Sequence, residues 1–155
     1  MVINIEDKTI LEALDQIIKD PKIIRFIIPL IEEAKSEKCF PVTKTVPLSL
    51  FENKLPKQIN QCRIFILGAN TKSKIERHTN SFQRTVTIFG SGDTKVLINN
   101  IWVSNIRRAD GKTIEDRWLS VPENTWHQPI SGKEDWITVA FHTASEGQIV
   151  DKYKD

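Results

Sequence analysis

The apolar residues of this chain change their period once, near Lys38, and that change limits the fold more than any other feature. Before it, Ile10, Leu11, Leu14, Ile17 and Ile18 recur at helix spacing, and Asp7 is placed to cap the start. Pro21 ends this helix and opens a second, which carries Ile23, Ile24, Ile27, Leu30 and Ile31 to Glu33. Pro29 lies inside that run and predicts a kink or an early stop. After Lys38 the chain breaks into short alternating or apolar segments punctuated by turn residues, the pattern of an all-β sandwich or barrel. The fold class expected is therefore mainly β: an N-terminal helical segment, 1–37, packed on a β-barrel domain, 38–155. A length of 155 residues suits one globular unit with a single core.

Nine strands are expected, over residues 43–51, 62–67, 74–78, 83–89, 94–98, 101–107, 115–121, 126–130 and 136–143. Gly90-Ser91-Gly92-Asp93 separates two of them, Ala109-Asp110-Gly111-Lys112 predicts a hairpin, and residues 131–135 join a further pair. The tail, residues 148–155, is charged and reads as a fraying end. Alternation sorts the faces. Gln83, Thr85, Thr87, Thr138, Ala140 and His142 fall on small or polar faces, placed toward a pocket; Val86, Ile88, Ile137, Val139 and Phe141 fall on apolar faces that need cover. The N-terminal helices or a second subunit can give that cover, so a homodimer is expected. Trp102, Trp118, Trp126 and Trp136 are expected in core or rim packing.

Charge narrows the partners. A net charge of +2, with acids and bases interspersed, gives no basic stripe for nucleic acid. No stretch approaches the roughly 20 apolar residues of a membrane span. The start, Met1-Val2-Ile3-Asn4-Ile5-Glu6-Asp7, is too acidic for a signal peptide, and Cys39 and Cys62 form no CxxC pair. A cytoplasmic protein with two reduced thiols is the expectation.

Four side chains in two segments are able to converge on one ion: Glu76, His78 and Gln83 in the first, His127 in the second. Glu76 and His78 are two apart, so an extended strand points both to one face. Gln83 follows after room for a turn, and His127 follows a turn carrying Pro122. Two imidazoles and one carboxylate suit non-haem Fe(II), with open positions for substrate and oxygen; Zn, Mn and Ni accept the same donors. Gln83 is a weak neutral ligand or a hydrogen-bond partner to a ligating group. Each residue also has a plain reading: Glu76 and His78 as solvated side chains, Gln83 as structural, His127 as a core histidine on a backbone carbonyl. Arg63 and His142 are candidates for holding an anionic group or moving a proton.

The spacing resembles the cupin superfamily of small jelly-roll barrels. That family's first motif places G-x5-H-x-H before a glutamate, then a glycine after six residues. Counting back from Gly90 across six residues reaches Gln83 at the glutamate position; five before it is His78 at the second histidine, and two before that Glu76 at the first. In the second motif, Pro122 stands at the proline, Asn124 at the glycine and His127 at the histidine. The chain departs from the pattern at Glu76 and Gln83, and also at Asp116 and Ser131, which stand at a glycine and an asparagine. Gly68, eight before Glu76, does not align with the opening glycine. The resemblance, over residues 62–143, implies a jelly-roll barrel with a divalent metal ion in it, Fe(II) favoured and Zn, Mn or Ni possible. It also implies a small-molecule ligand in the barrel.

The activities of such barrels vary widely. The reading favoured is a metal-dependent enzyme, of dioxygenase type, on a small organic acid or oxygenated metabolite. A metal-free isomerase or epimerase with His78 or His127 as base lacks an acid in the barrel segments, since Tyr153 is the only tyrosine. A non-catalytic metal- or ligand-binding module and a barrel with no site complete the alternatives.

Overall fold

The computed structural model describes residues 4–37 and 39–155. The expected boundary at Lys38 and the first three residues of the acidic start lie outside the described residues.

Two helices come first, α1 (Ile5–Lys19) and α2 (Pro21–Lys35). Asn4, not Asp7, caps α1: its side-chain oxygen accepts from the Asp7 N–H at 3.1 Å. The Asp7 carboxylate turns to the β domain instead, where Arg84 Nε donates to it at 2.7 Å and Ser120 Oγ at 2.8 Å. Asp20 caps α2, with Pro21 just inside it. Pro29 does not stop this helix, which runs on to Lys35. Pro29 lies on its exposed face, where water can satisfy the carbonyl that the missing N–H leaves unpaired.

The rest is β. The strands are β1 (Val42–Val46), β2 (Gln61–Leu67), β3 (Ile75–His78), β4 (Gln83–Phe89), β5 (Ser91–Ile98), β6 (Ile101–Val103), β7 (Ile106–Arg108), β8 (Trp118–Val121), β9 (His127–Ser131), β10 (Trp136–His142) and β11 (Asp151–Lys154). They form two antiparallel sheets. One has the order β1-β2-β10-β4-β8. The other has the order β11-β3-β9-β5-β6, with β7 also pairing β5. This is a jelly-roll architecture behind a helix pair.

Several boundaries differ from the sequence expectation. The first strand ends at Val46, because Pro47 precedes a 3-10 turn, Leu48–Phe51. The Asp-Gly segment makes no hairpin: it leads into a short helix, α3 (Ile114–Arg117), closed by a reciprocal capping box between Thr113 and Asp116. The segments at 90–93 and 131–135 join strands of different sheets rather than neighbours in one. Gly90, at φ +74°, makes the first of these crossings, and a Cβ there would lie 2.3 Å from the Asp135 carbonyl oxygen. The tail does not fray: it forms β11 on the edge of the second sheet.

The larger apolar cluster lies outside the space between the sheets, and a small one joins Val96 of the second sheet to Leu119 and Val121 of the first. Ile10, Leu11, Leu14 and Ile18 of α1 and Ile23, Ile27 and Ile31 of α2 pack on Cys62, Ile64, Ile66, Val86, Val139 and Phe141. Each aliphatic side chain so buried contributes about 1.5–3 kcal/mol. The cover needed by the apolar strand faces thus comes from helices of the same chain. The opposite faces of those strands look inward and carry Arg63, Phe65, Thr85, Thr87, Thr138 and Ala140. Trp118 and Trp136 are buried, whereas Trp102 is exposed. Cys39 and Cys62 are unpaired thiols; burial raises the pKa of Cys62. Among the described residues no helix is long and apolar enough to cross a membrane.

Candidate metal centre

Strand pairing assembles the site. Glu76 of β3 lies directly opposite His127 of β9. The Asn124 N–H donates to the His78 carbonyl at 2.8 Å, which locks the second segment to the first. Asn124 takes a left-handed conformation, φ +57°, as the glycine position of a tight turn requires. Gln83 reaches the same place from β4 in the facing sheet. One donor atom from each of Glu76, His78 and His127 lies within 4.8 Å of the others.

The hydrogen bonds behind these residues fix which atoms face inward. His127 Nδ1 is 2.9 Å from the Thr125 carbonyl oxygen. A carbonyl only accepts, so Nδ1 carries the hydrogen, and in the neutral ring Nε2 keeps its lone pair. Nε2 is buried with no hydrogen-bond partner, and the nearest carboxylate oxygen, Glu76 Oε1, is 3.6 Å away. That distance is too long for a hydrogen bond.

His78 Nδ1 is held by Asp151 Oδ1 at 2.6 Å, and Nε2 is 2.9 Å from Gln83 Oε1. The Gln83 amide nitrogen donates to Thr85 Oγ1 at 2.7 Å, which turns the amide oxygen toward His78. Burial lowers the pKa of His78, against the pull of Asp151 and Glu76, and favours the neutral ring. A neutral His78 bonded to Asp151 through Nδ1–H then presents a lone pair to another acceptor. Such a pair needs a cation or a proton between its members. Two donors each about 2.1 Å from one ion and at right angles to it are about 3.0 Å apart. The separations of 2.9 Å and 3.6 Å are of that size. The residues present therefore fit a bound divalent ion.

The charges agree with this. Burial alone would raise the pKa of Glu76, but His127, His78 and Arg63 outweigh it and hold the carboxyl below its ordinary value. Glu76 is thus an ionised carboxylate at neutral pH.

A cavity of about 430 Å³ adjoins the cluster. Gln83, Thr85, Thr87, Thr138 and Ala140 line it, as their strand faces predict. Its cations are Arg63, Lys72, Lys74 and Arg107; its carboxylates are Glu76 and Asp151, both already engaged with histidines. The wall therefore favours an anionic ligand.

His142 is placed differently from the expectation. It looks inward but does not reach the cavity surface, because His78 covers it edge-on at 5.1 Å between ring centroids. Its Nδ1 is 3.1 Å from Ser81 Oγ, and its buried Nε2 has no partner. Burial, with the charges of Arg63, His78 and His127, pushes its pKa well below the ordinary histidine value. It is a neutral ring behind the cluster, not a group exposed to a substrate.

Sequence reasoning missed the part played by β11. Asp151 lies opposite His78 and Tyr153 opposite Glu76, and both line the cavity. A tyrosine thus does stand at the site, against the expectation. The signal was the alternation of Asp151 and Tyr153 with Lys152 and Lys154, hidden by the high charge of the tail.

No protein-family model matches the sequence, and no curated protein matches it. Solved structures do. The capsular polysaccharide assembling protein CapF of Staphylococcus aureus aligns with a TM-score of 0.58 at 12% identity, over 74% of this chain and 30% of that one. A pumpkin pro-11S globulin aligns with a TM-score of 0.56 at 15% identity, over 73% and 28%. Oxalate oxidase in complex with the substrate analogue glycolate aligns with a TM-score of 0.54 at 12% identity, over 70% and 53%. The chain spans under a third of the length of the first two.

Proposed function

The chain has the cupin jelly-roll fold, and within it we propose that Glu76, His78 and His127 hold a divalent metal ion and serve a metal-dependent enzyme of dioxygenase type. Gln83 is the fourth donor, and Fe(II) is the metal favoured by two imidazoles and a carboxylate. The observation that carries this reading is His127 Nε2: buried, fixed in orientation by the Thr125 carbonyl, unpartnered, and directed at an ionised carboxylate. A buried polar atom without a partner costs about 1–3 kcal/mol, which a ligand at this point removes.

The metal, when bound, supplies Lewis acidity and oxygen activation. The residues of the chain do the rest. Glu76 and the two imidazoles keep one side of the site closed. Arg63, whose charge reaches Glu76, His78 and His142, anchors the carboxylate of a small organic acid. Lys72 and Lys74, at the rim, draw the anion in. Phe65, Trp136 and Leu119 exclude water around its carbon skeleton.

The test is elemental analysis of untagged protein, followed by oxygen uptake after loading with iron and a panel of small organic acids. Near-stoichiometric metal with acid-dependent oxygen uptake supports the enzyme. Metal without uptake on any acid selects the second reading, a non-catalytic binding module, which the neutral Gln83 donor, tied to Thr85, favours. A chain that takes up no iron, manganese, nickel or zinc sinks the metal reading. A metal-free acid–base enzyme is then the reading to pursue, with Tyr153 at the cavity wall as its acid.

The homodimer keeps one support: Ile101, Trp102, Val103 and Ile106, on β6 and β7, are exposed. Sedimentation of the full chain decides it, and a monomer across micromolar concentrations rejects it.

A further inference from the structure

We infer that Asp151 is the positioning residue for His78, so that the C-terminal strand β11 is a working part of the metal centre; this rests on the metal reading above. The Asp151–His78 contact, 2.6 Å, joins a ring that is 3% exposed to a carboxylate that is 31% exposed. A carboxylate on Nδ1–H does three things to an imidazole that ligates through Nε2. It selects the tautomer that leaves Nε2 free, it fixes the ring plane, and it makes Nε2 more basic. His127 has a backbone carbonyl for this purpose. His78 has only Asp151, which comes from the far end of the chain.

The strand is held where this contact needs it. The Thr79 N–H donates to the Val150 carbonyl at 3.0 Å. The Asn80 side chain clamps the approach to the strand, donating to the Gln148 carbonyl at 2.8 Å and accepting from the Val150 N–H at 2.9 Å. Pairing then sets Asp151 across from His78. β11 adds little to the apolar core: all four of its residues are exposed, and none belongs to either apolar cluster. Its one buried polar partner is thus the His78 ring, which the Asp151 carboxylate reaches at 2.6 Å.

The experiment uses the full chain and its Asp151→Ala, Asp151→Asn and Lys152→Gln variants. Lys152 is exposed and alternates with Asp151 to the outer face of the strand, so it controls for disturbance of β11 as a whole. Zinc affinity is measured by chelator competition, and thermal stability is measured on the metal-free proteins. Asp151→Ala is expected to lose about 10–100-fold in zinc affinity, with Asp151→Asn between it and the parent, because the amide still accepts but carries no charge. Lys152→Gln is expected to match the parent, and metal-free melting to stay level in all four. Long-range nitrogen–proton spectra of metal-free protein are expected to report His78 protonated on Nδ1 in the parent and as a tautomer mixture in Asp151→Ala. Zinc affinity within twofold of the parent in Asp151→Ala, or an equal loss in Lys152→Gln, overturns the inference while leaving the metal reading intact. A parent chain that binds no zinc overturns both.

Discussion

At the scale of single residues, the site is a matter of lone pairs. His127→Ala removes the orphaned Nε2 and is expected to abolish near-stoichiometric metal while the far-ultraviolet dichroism is unchanged; equal metal in the two proteins rejects the assignment. Glu76→Gln keeps the shape and removes the one ionised carboxylate that faces both imidazoles, so metal affinity is expected to fall at least tenfold. A solvated Glu76 would make the change silent, and the same chelator competition reads it. That Glu76, His78, Gln83 and His127 come together was legible because side chains alternate along a strand and because their spacing resembles a known motif. Which groups hold the histidines from behind was not. Thr125 acts through a backbone carbonyl, which leaves no mark on local spacing, and Asp151 through a paired strand whose alternation the charge of the tail hides.

At the scale of elements, α1 is joined to the β domain by buried charge. Asp15, at 3% side-chain exposure, accepts from the Arg117 guanidinium and from the Trp118 indole at 2.8 Å, with Lys19 at 3.0 Å. Burial opposes its ionisation, but these three donors outweigh it and hold the carboxyl at about 2. A depressed carboxyl stabilises the fold above its unfolded pKa and loses that contribution as pH falls. The helix attachment is therefore expected to weaken by roughly 2 kcal/mol between about pH 4 and pH 2, and acid titration of the parent against Asp15→Asn measures it. Asp15→Ala strands the Arg117 charge and the indole N–H, and denaturant unfolding is expected to show a loss of about 3 kcal/mol. The helices themselves were readable from period alone. The split of residues 101–107 into β6 and β7, and the helix at Ile114–Arg117, were not: the first follows from pairing of both pieces with β5, the second from a cap that outcompetes a hairpin.

At the scale of the whole molecule, the apolar core and the site are segregated. The helix pair takes the apolar outer face of one sheet, which leaves the space between the sheets hollow, with polar and apolar side chains both lining it. Loading at a hundred times the dissociation constant is expected to raise stability by about 2.7 kcal/mol, and calorimetry of loaded and chelator-treated protein checks it. The same gain should be missing in His127→Ala.

Period and spacing along the chain were enough for the helix pair, the β domain behind it, the inward and outward faces of β4 and β10, and the candidate ligands. All of these follow from periods of two and 3.6 residues and from fixed spacing along the chain. The tertiary structure alone decided what pairs across long separations: that segments at 90–93 and 131–135 carry the chain between sheets, that His142 lies covered by His78, and that the charged tail returns to hold His78 through Asp151. Those outcomes depend on which strands meet, and strand pairing is set by the closure of the whole fold rather than by any local run of residues.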